Sequence, residues 1–252
     1  MSLYSYYVGV DLGSRQDYTA ISIIEEPVWI APESVEPGRW AWSLGQRESG
    51  WVSPASLDSS RLDEFLSGNL HNGRPGDVPL RIRHLERLPL GTSYPRVVER
   101  ISSLMSAEPL ASRRAALVAD ATGVGTSVMD SLVEAGLRPI GVTIHGGDRA
   151  TPDGSGGHRV PKRDLVGAVQ VLLQSGRLKI ASGLPESETL RSELLNFRMR
   201  IDPATAHDSY SHWREGDHDD LVLSAAVALW FRGWWNLHLD MENARRGREG
   251  AM

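Results

Sequence analysis

"AALVADATGVGTSVMDSLVEAGLRPIGVTI", residues Ala115–Ile144, is the stretch whose reading decides the fold. Its first part, "AALVAD", is a short apolar run that reads as a buried strand ending in Asp120. "GTSVMDSLVEAG" (125–136) has helical spacing and closes on a glycine, the residue that most readily ends a helix. "RPIGVTI" (138–144) is apolar and β-branched, a second strand. Two strands joined through a helix predict a parallel βαβ unit.

Upstream, "VGVDLGSRQDYTAISII" (8–24) predicts two strands, 6–12 and 18–25, with the Gly13–Asp17 connection making a hairpin. "LRIRHLERLPL" (80–90) begins with the alternation of a half-exposed strand, and "YPRVVERISSLMSA" (94–107) has helical spacing. Downstream come a Gly-rich, basic loop (145–161), helices at about 163–176 and 186–199, a polar irregular segment (200–217) and a last helix from Asp219 to about His238. The expected architecture is α/β: a mixed sheet, an antiparallel hairpin and meander plus parallel strands, flanked by helices. That order is ribonuclease H-like. A single domain is expected over 1–240, with a Pro-, Gly- and Trp-rich insertion at about 26–79 and a frayed tail over 241–252.

Composition sets limits. With 252 residues there is ample material for a buried core, and the absence of cysteine excludes disulfides and thiolate metal sites. A formal net charge of -5 argues against an indiscriminate nucleic-acid coat. It leaves room for a nuclease, because acids awaiting a metal count as negative. No apolar stretch is long enough to span a bilayer, and "MSLYSYYVGV" lacks the basic segment of a signal peptide. A cytoplasmic protein is expected.

Asp11 and Asp120 both end expected strands, and Asp219 and Asp220 open the last helix. Each has a plainer reading alone, the strand-end acids as turn formers and the helix acids as N-caps. Together, in this topology, they can converge on one sheet edge. Convergent carboxylates raise one another's pKa, a conflict that a hard divalent cation removes. Mg²⁺ or Mn²⁺ fits, and two such ions, about 3.5–4 Å apart, support in-line phosphodiester hydrolysis.

At "LVADATGVGTSVMDSLVEAGL" the chain resembles the nuclease domain of the large terminase subunit of tailed phages. The likeness continues in "KRDLVGAVQVLLQSGRLKIASGLPESETLRSELLNF", in "GDHDDLVLSAAVALW", and at the front in "VGVDLGSRQDYTAISII". It implies an endonuclease that cuts concatemeric viral DNA during head packaging, in the host cytoplasm. It also implies metal ligation by Asp11, Asp120 and one of Asp219 or Asp220, with Asp220 preferred. Many relatives carry a further acid where this chain has Leu223. Large terminases usually carry an ATPase, yet no "GxxxxGK[ST]" occurs here, so this chain alone is not expected to translocate DNA. The implied partners are double-stranded DNA, a separate packaging ATPase, a small terminase subunit and a portal protein.

For DNA contact the sequence offers Arg149, His158, Arg159, Lys162 and Arg163, in and after the Gly-rich loop. Arg81, Arg83 and Arg87 read as one charged solvent face, His218 as an exposed residue before a helix in preference to an assisting group at the site, and Trp230, Trp234 and Trp235 as packing residues. Competing readings are a resolvase or transposase-like nuclease of the same fold, an actin-like phosphotransferase using "DLGSRQDYT", and a catalytically dead DNA-binding module.

Overall fold

The computed structural model describes residues 4–13, 17–27, 79–112, 114–123, 125–181, 183–200 and 218–249. Nearly all of the expected insertion, and the irregular segment after position 200, lie outside the described residues. The strands are β1 (Tyr4–Asp11), β2 (Ala20–Pro27), β3 (Leu80–Arg87), β4 (Arg114–Asp120), β5 (Pro139–His145), β6 (Thr151–Pro152), β7 (His158–Pro161) and β8 (Leu178–Ile180). The helices are α1 (Tyr94–Met105), α2 (Gly125–Glu134), α3 (Lys162–Gln174), α4 (Ser187–Arg200) and α5 (Asp220–Glu249).

The strands form one eight-stranded sheet in the order β6-β7-β5-β4-β1-β2-β3-β8. β1 and β2 pair antiparallel, as do β2 and β3, while β1, β4, β5 and β7 run parallel. This is the expected mixed sheet, an antiparallel hairpin and meander joined to parallel strands.

Alternation along β1 sorts its side chains between two layers. Tyr6, Val8 and Val10 join Val97 and Ile101 of α1 and Val128 and Leu132 of α2 on one face. Tyr7 faces the other layer with Leu165 and Val169 of α3, Leu190 of α4 and the first turns of α5. A fully buried aliphatic side chain such as Ile101 contributes on the order of 2 kcal/mol. α5 is apolar all round at its start, from Leu221 to Phe231, because it lies between the sheet and two helices. It sits close: a Cβ on Gly9 would collide with the Ser224 carbonyl oxygen.

Three details depart from the sequence reading. The loop expected over 145–161 contains the β6–β7 hairpin. Asp153 Oδ1 closes its turn by accepting from the Ser155 and Gly157 backbone N–H groups, at 2.8 and 2.9 Å. The last helix runs on past His238 to Glu249. Lastly, Arg81, Arg83 and Arg87 do not share a solvent face. The β2–β3 register shifts between Ile23 and Ile24, so that Glu25 pairs with Arg81 whereas Ala20 pairs with Arg87. One extra residue in β3 turns Arg81 to the α1–α2 side, against Glu25 at 3.4 Å, and Arg87 to the α5 side. Among the described residues no helix is long and apolar enough to cross a membrane.

Candidate active centre at the sheet edge

A single row of paired residues crosses the sheet where its parallel strands end. Arg87 pairs with Ala20, Ala20 with Asp11, and Asp120 with Val142, which pairs in turn with His158. β1 and β4 are parallel neighbours whose ladder reaches Val10 with Ala119, so Asp11 and Asp120 are its next step. Both carboxylates fall on the α5 side of the sheet. The close seat of α5 on Gly9 brings its N-terminus, with Asp219 and Asp220, over the same edge. β7 ends at that edge too, and Lys162 follows it directly.

Burial pushes the Asp11 carboxyl well above its ordinary value, and the charges of Asp120, Asp220 and Asp219 push the same way, with Lys162 opposing. Burial also raises Asp120, against hydrogen bonding from Thr122, whose backbone N–H donates to Oδ1 at 2.8 Å. Gly123, at φ +69°, lets the chain leave this turn through a conformation costly for other residues. Burial raises Asp220 to about 6, while Arg87 and His218 pull it down. Asp219 serves as the backbone N-cap of α5, its carbonyl accepting from Leu223 N–H at 2.9 Å. Its side chain meets Lys162 Nζ at 3.4 Å.

Two residues that the sequence reading left out belong to this centre. Arg87 reaches Glu193 and Asp220. Glu193, on α4, is 5% exposed, and burial lifts it to about 7 despite a bond from Val222 N–H and the charge of Arg87. The desolvation of a carboxyl between helices outweighs even a short ion pair. A signal for Glu193 did exist: it falls between Leu190, Leu194 and Phe197, an acid on the apolar stripe of a helix. His218 is drawn in as well, its Nδ1 at 3.6 Å from Asp220 and its ring edge-on to Tyr18.

The basic residues expected at DNA divide. Arg149 and Arg159 are exposed, and Arg163 pairs with Asp148 at 3.0 Å. Lys162 lies within the acid centre. His158 is buried at 6% exposure, its ring packed against Trp230 and Trp234 at centroid distances of 5.4 and 4.2 Å. That burial removes it from any surface a phosphate could reach.

Among the described residues no group of three or more His, Asp or Glu side chains is gathered tightly enough to hold a metal ion as it stands. In donor type the acids suit a hard cation: all are oxygen ligands, and the charge felt by Asp11 from three neighbouring aspartates is offset only in part by Lys162.

No protein-family model and no curated protein matches the sequence. Among solved structures the chain is similar to the large terminase nuclease from the thermophilic phage G20c, at 21% identity and a TM-score of 0.45, over 89% of this chain and 81% of that one. It is also similar to the human cytomegalovirus terminase nuclease domain soaked with Mn, at 12% identity and a TM-score of 0.43, over 91% of this chain and 84% of that one. A second structure of the cytomegalovirus domain gives 11% identity and a TM-score of 0.41, over 91% and 85%.

Proposed function

We propose that this chain is a metal-dependent DNA endonuclease of terminase type, cleaving concatemeric viral DNA by phosphodiester hydrolysis. One observation carries the reading: a buried Asp11 surrounded by the like charges of Asp120, Asp219 and Asp220 at the end of parallel strands. Buried carboxylates in mutual repulsion are costly to a fold, and such sites tend to be functional. In this reading Asp11, Asp120 and the Asp219–Asp220 pair hold Mg²⁺ or Mn²⁺, two ions when loaded. Such ions acidify a bound water and neutralise the charge that develops on a phosphate oxygen.

The chain's own residues have three tasks. The rigid strand ends of β1 and β4 hold Asp11 and Asp120 still. Lys162 pairs with Asp219 and sets a cation beside the acids for a DNA phosphate. Arg149, Arg159 and Arg163 attract the backbone without regard to sequence. Double-stranded DNA is the substrate, and a packaging ATPase, a small terminase subunit and a portal protein are the partners.

Purified protein should nick or linearise plasmid DNA with Mn²⁺ or Mg²⁺ and not with EDTA. Asp120→Ala should lower the rate by at least about a hundredfold, the scale on which removal of a metal ligand or an oriented charge acts. Unchanged cleavage by a folded Asp120→Ala protein would remove the centre from the reaction.

A further inference from the structure

Arg87 meets the acid edge alongside Lys162, yet it faces acids of its own. It lies in the row of Asp11 and Asp120, separated from Asp11 by Ala20, and on the same face of the sheet. Its Nη2 donates to Glu193 Oε1 at 2.5 Å and to Asp220 Oδ2 at 3.1 Å. Its guanidinium carbon stands 4.4 Å over the Tyr18 ring, which fixes the plane of the fork. Glu193 has its other oxygen engaged as well: Oε2 accepts from Val222 N–H, in the first turn of α5, at 3.0 Å. Three elements, β3, α4 and α5, are thus tied through one guanidinium and one carboxylate. His218 Nδ1 approaches the same atom of Asp220, Oδ2, at 3.6 Å.

A carboxylate held at one oxygen has its rotation set. We propose that Arg87 and Glu193 are positioning residues: Glu193 holds Arg87, Arg87 engages Oδ2 of Asp220, and Oδ1 is left to a divalent cation bound with Asp11 and Asp120. The inference rests on the nuclease reading. The pair differs from an ordinary helix cap in one respect. If Glu193 served only the Val222 N–H, glutamine would serve equally, because its amide oxygen accepts the same bond. Orienting Arg87 against Asp220 needs the charge, and only glutamate supplies it.

Mn²⁺ binding is measured by titration calorimetry at pH 8, without DNA, on wild type, Asp120→Ala, Glu193→Gln and Arg87→Lys. Plasmid nicking is followed on the same proteins as a function of Mn²⁺, and circular dichroism reports folding. Glu193→Gln and Arg87→Lys should fold yet bind Mn²⁺ about tenfold more weakly, the usual effect of losing a partner that orients a ligand. Saturating Mn²⁺ should restore most of their nicking rate, a split between apparent metal affinity and turnover that a merely structural defect does not give. Unchanged affinity in both variants overturns the positioning role. So does failure of both to fold, which makes the pair a folding element. A wild type that binds no Mn²⁺, or an Asp120→Ala protein that binds it as wild type does, defeats the nuclease reading instead.

Discussion

At Asp11, Asp120, Asp220 and Glu193 the fold holds carboxyl groups above their ordinary pKa values. A group whose folded pKa is raised adds stability below its unfolded pKa and loses it as pH climbs through the folded one. For Glu193 that window runs from its ordinary 4.5 to about 7. The metal-free protein is therefore expected to lose stability between about pH 4.5 and 7, Glu193 alone accounting for on the order of 3 kcal/mol. Thermal unfolding in EDTA across that range checks this, and Glu193→Gln should flatten the dependence. A melting temperature that rose over the same interval would contradict the sign. Glu86 and Asp153, both lowered, act in the opposite direction, with the effect of each developing nearer its ordinary carboxylate range.

At the scale of elements, the seat of α5 on β1 decides whether the acids meet. Gly9 makes the close approach possible, since any Cβ there meets backbone rather than a yielding side chain. Further along, Arg232 of α5 is bound to Glu26 of β2, which also accepts from Tyr7 Oη at 3.0 Å. This buried ion pair fixes the helix against sliding, and breaking one partner would strand a charge. Gly9→Ala should cost about 3 kcal/mol by overpacking. It should also depress nicking more than global stability explains, because Asp219 and Asp220 move with the helix. A urea midpoint equal to wild type would show that α5 is not seated as described.

For the whole molecule, a net charge of -5 means that, in the proposed reading, DNA capture rests on local basic side chains and not on overall charge. Arg149 and Arg159 are exposed and stand outside the acid centre. Replacing each with alanine should weaken duplex binding across sequences and reduce the salt slope by about one unit for every phosphate no longer neutralised. Fluorescence anisotropy at several salt concentrations in Ca²⁺ or EDTA reads this without cleavage. An unchanged slope would clear the β6–β7 hairpin region of a DNA role.

Periodicity and punctuation in the chain by themselves determined the parallel unit from Ala115 to Ile144, the opening hairpin, and the strand-end positions of Asp11 and Asp120, because each of these is written in neighbouring residues. They could not determine what long-range packing decides. The one-residue slip in the β2–β3 ladder, invisible in "LRIRHLER", sent Arg87 to the acids and Arg81 away from them. Burial of His158 under Trp230 and Trp234, and the meeting of Glu193 with Arg87, likewise join side chains far apart in sequence. Local pattern sets the direction in which a side chain leaves its own element; only the packing of elements on one another decides what it finds there.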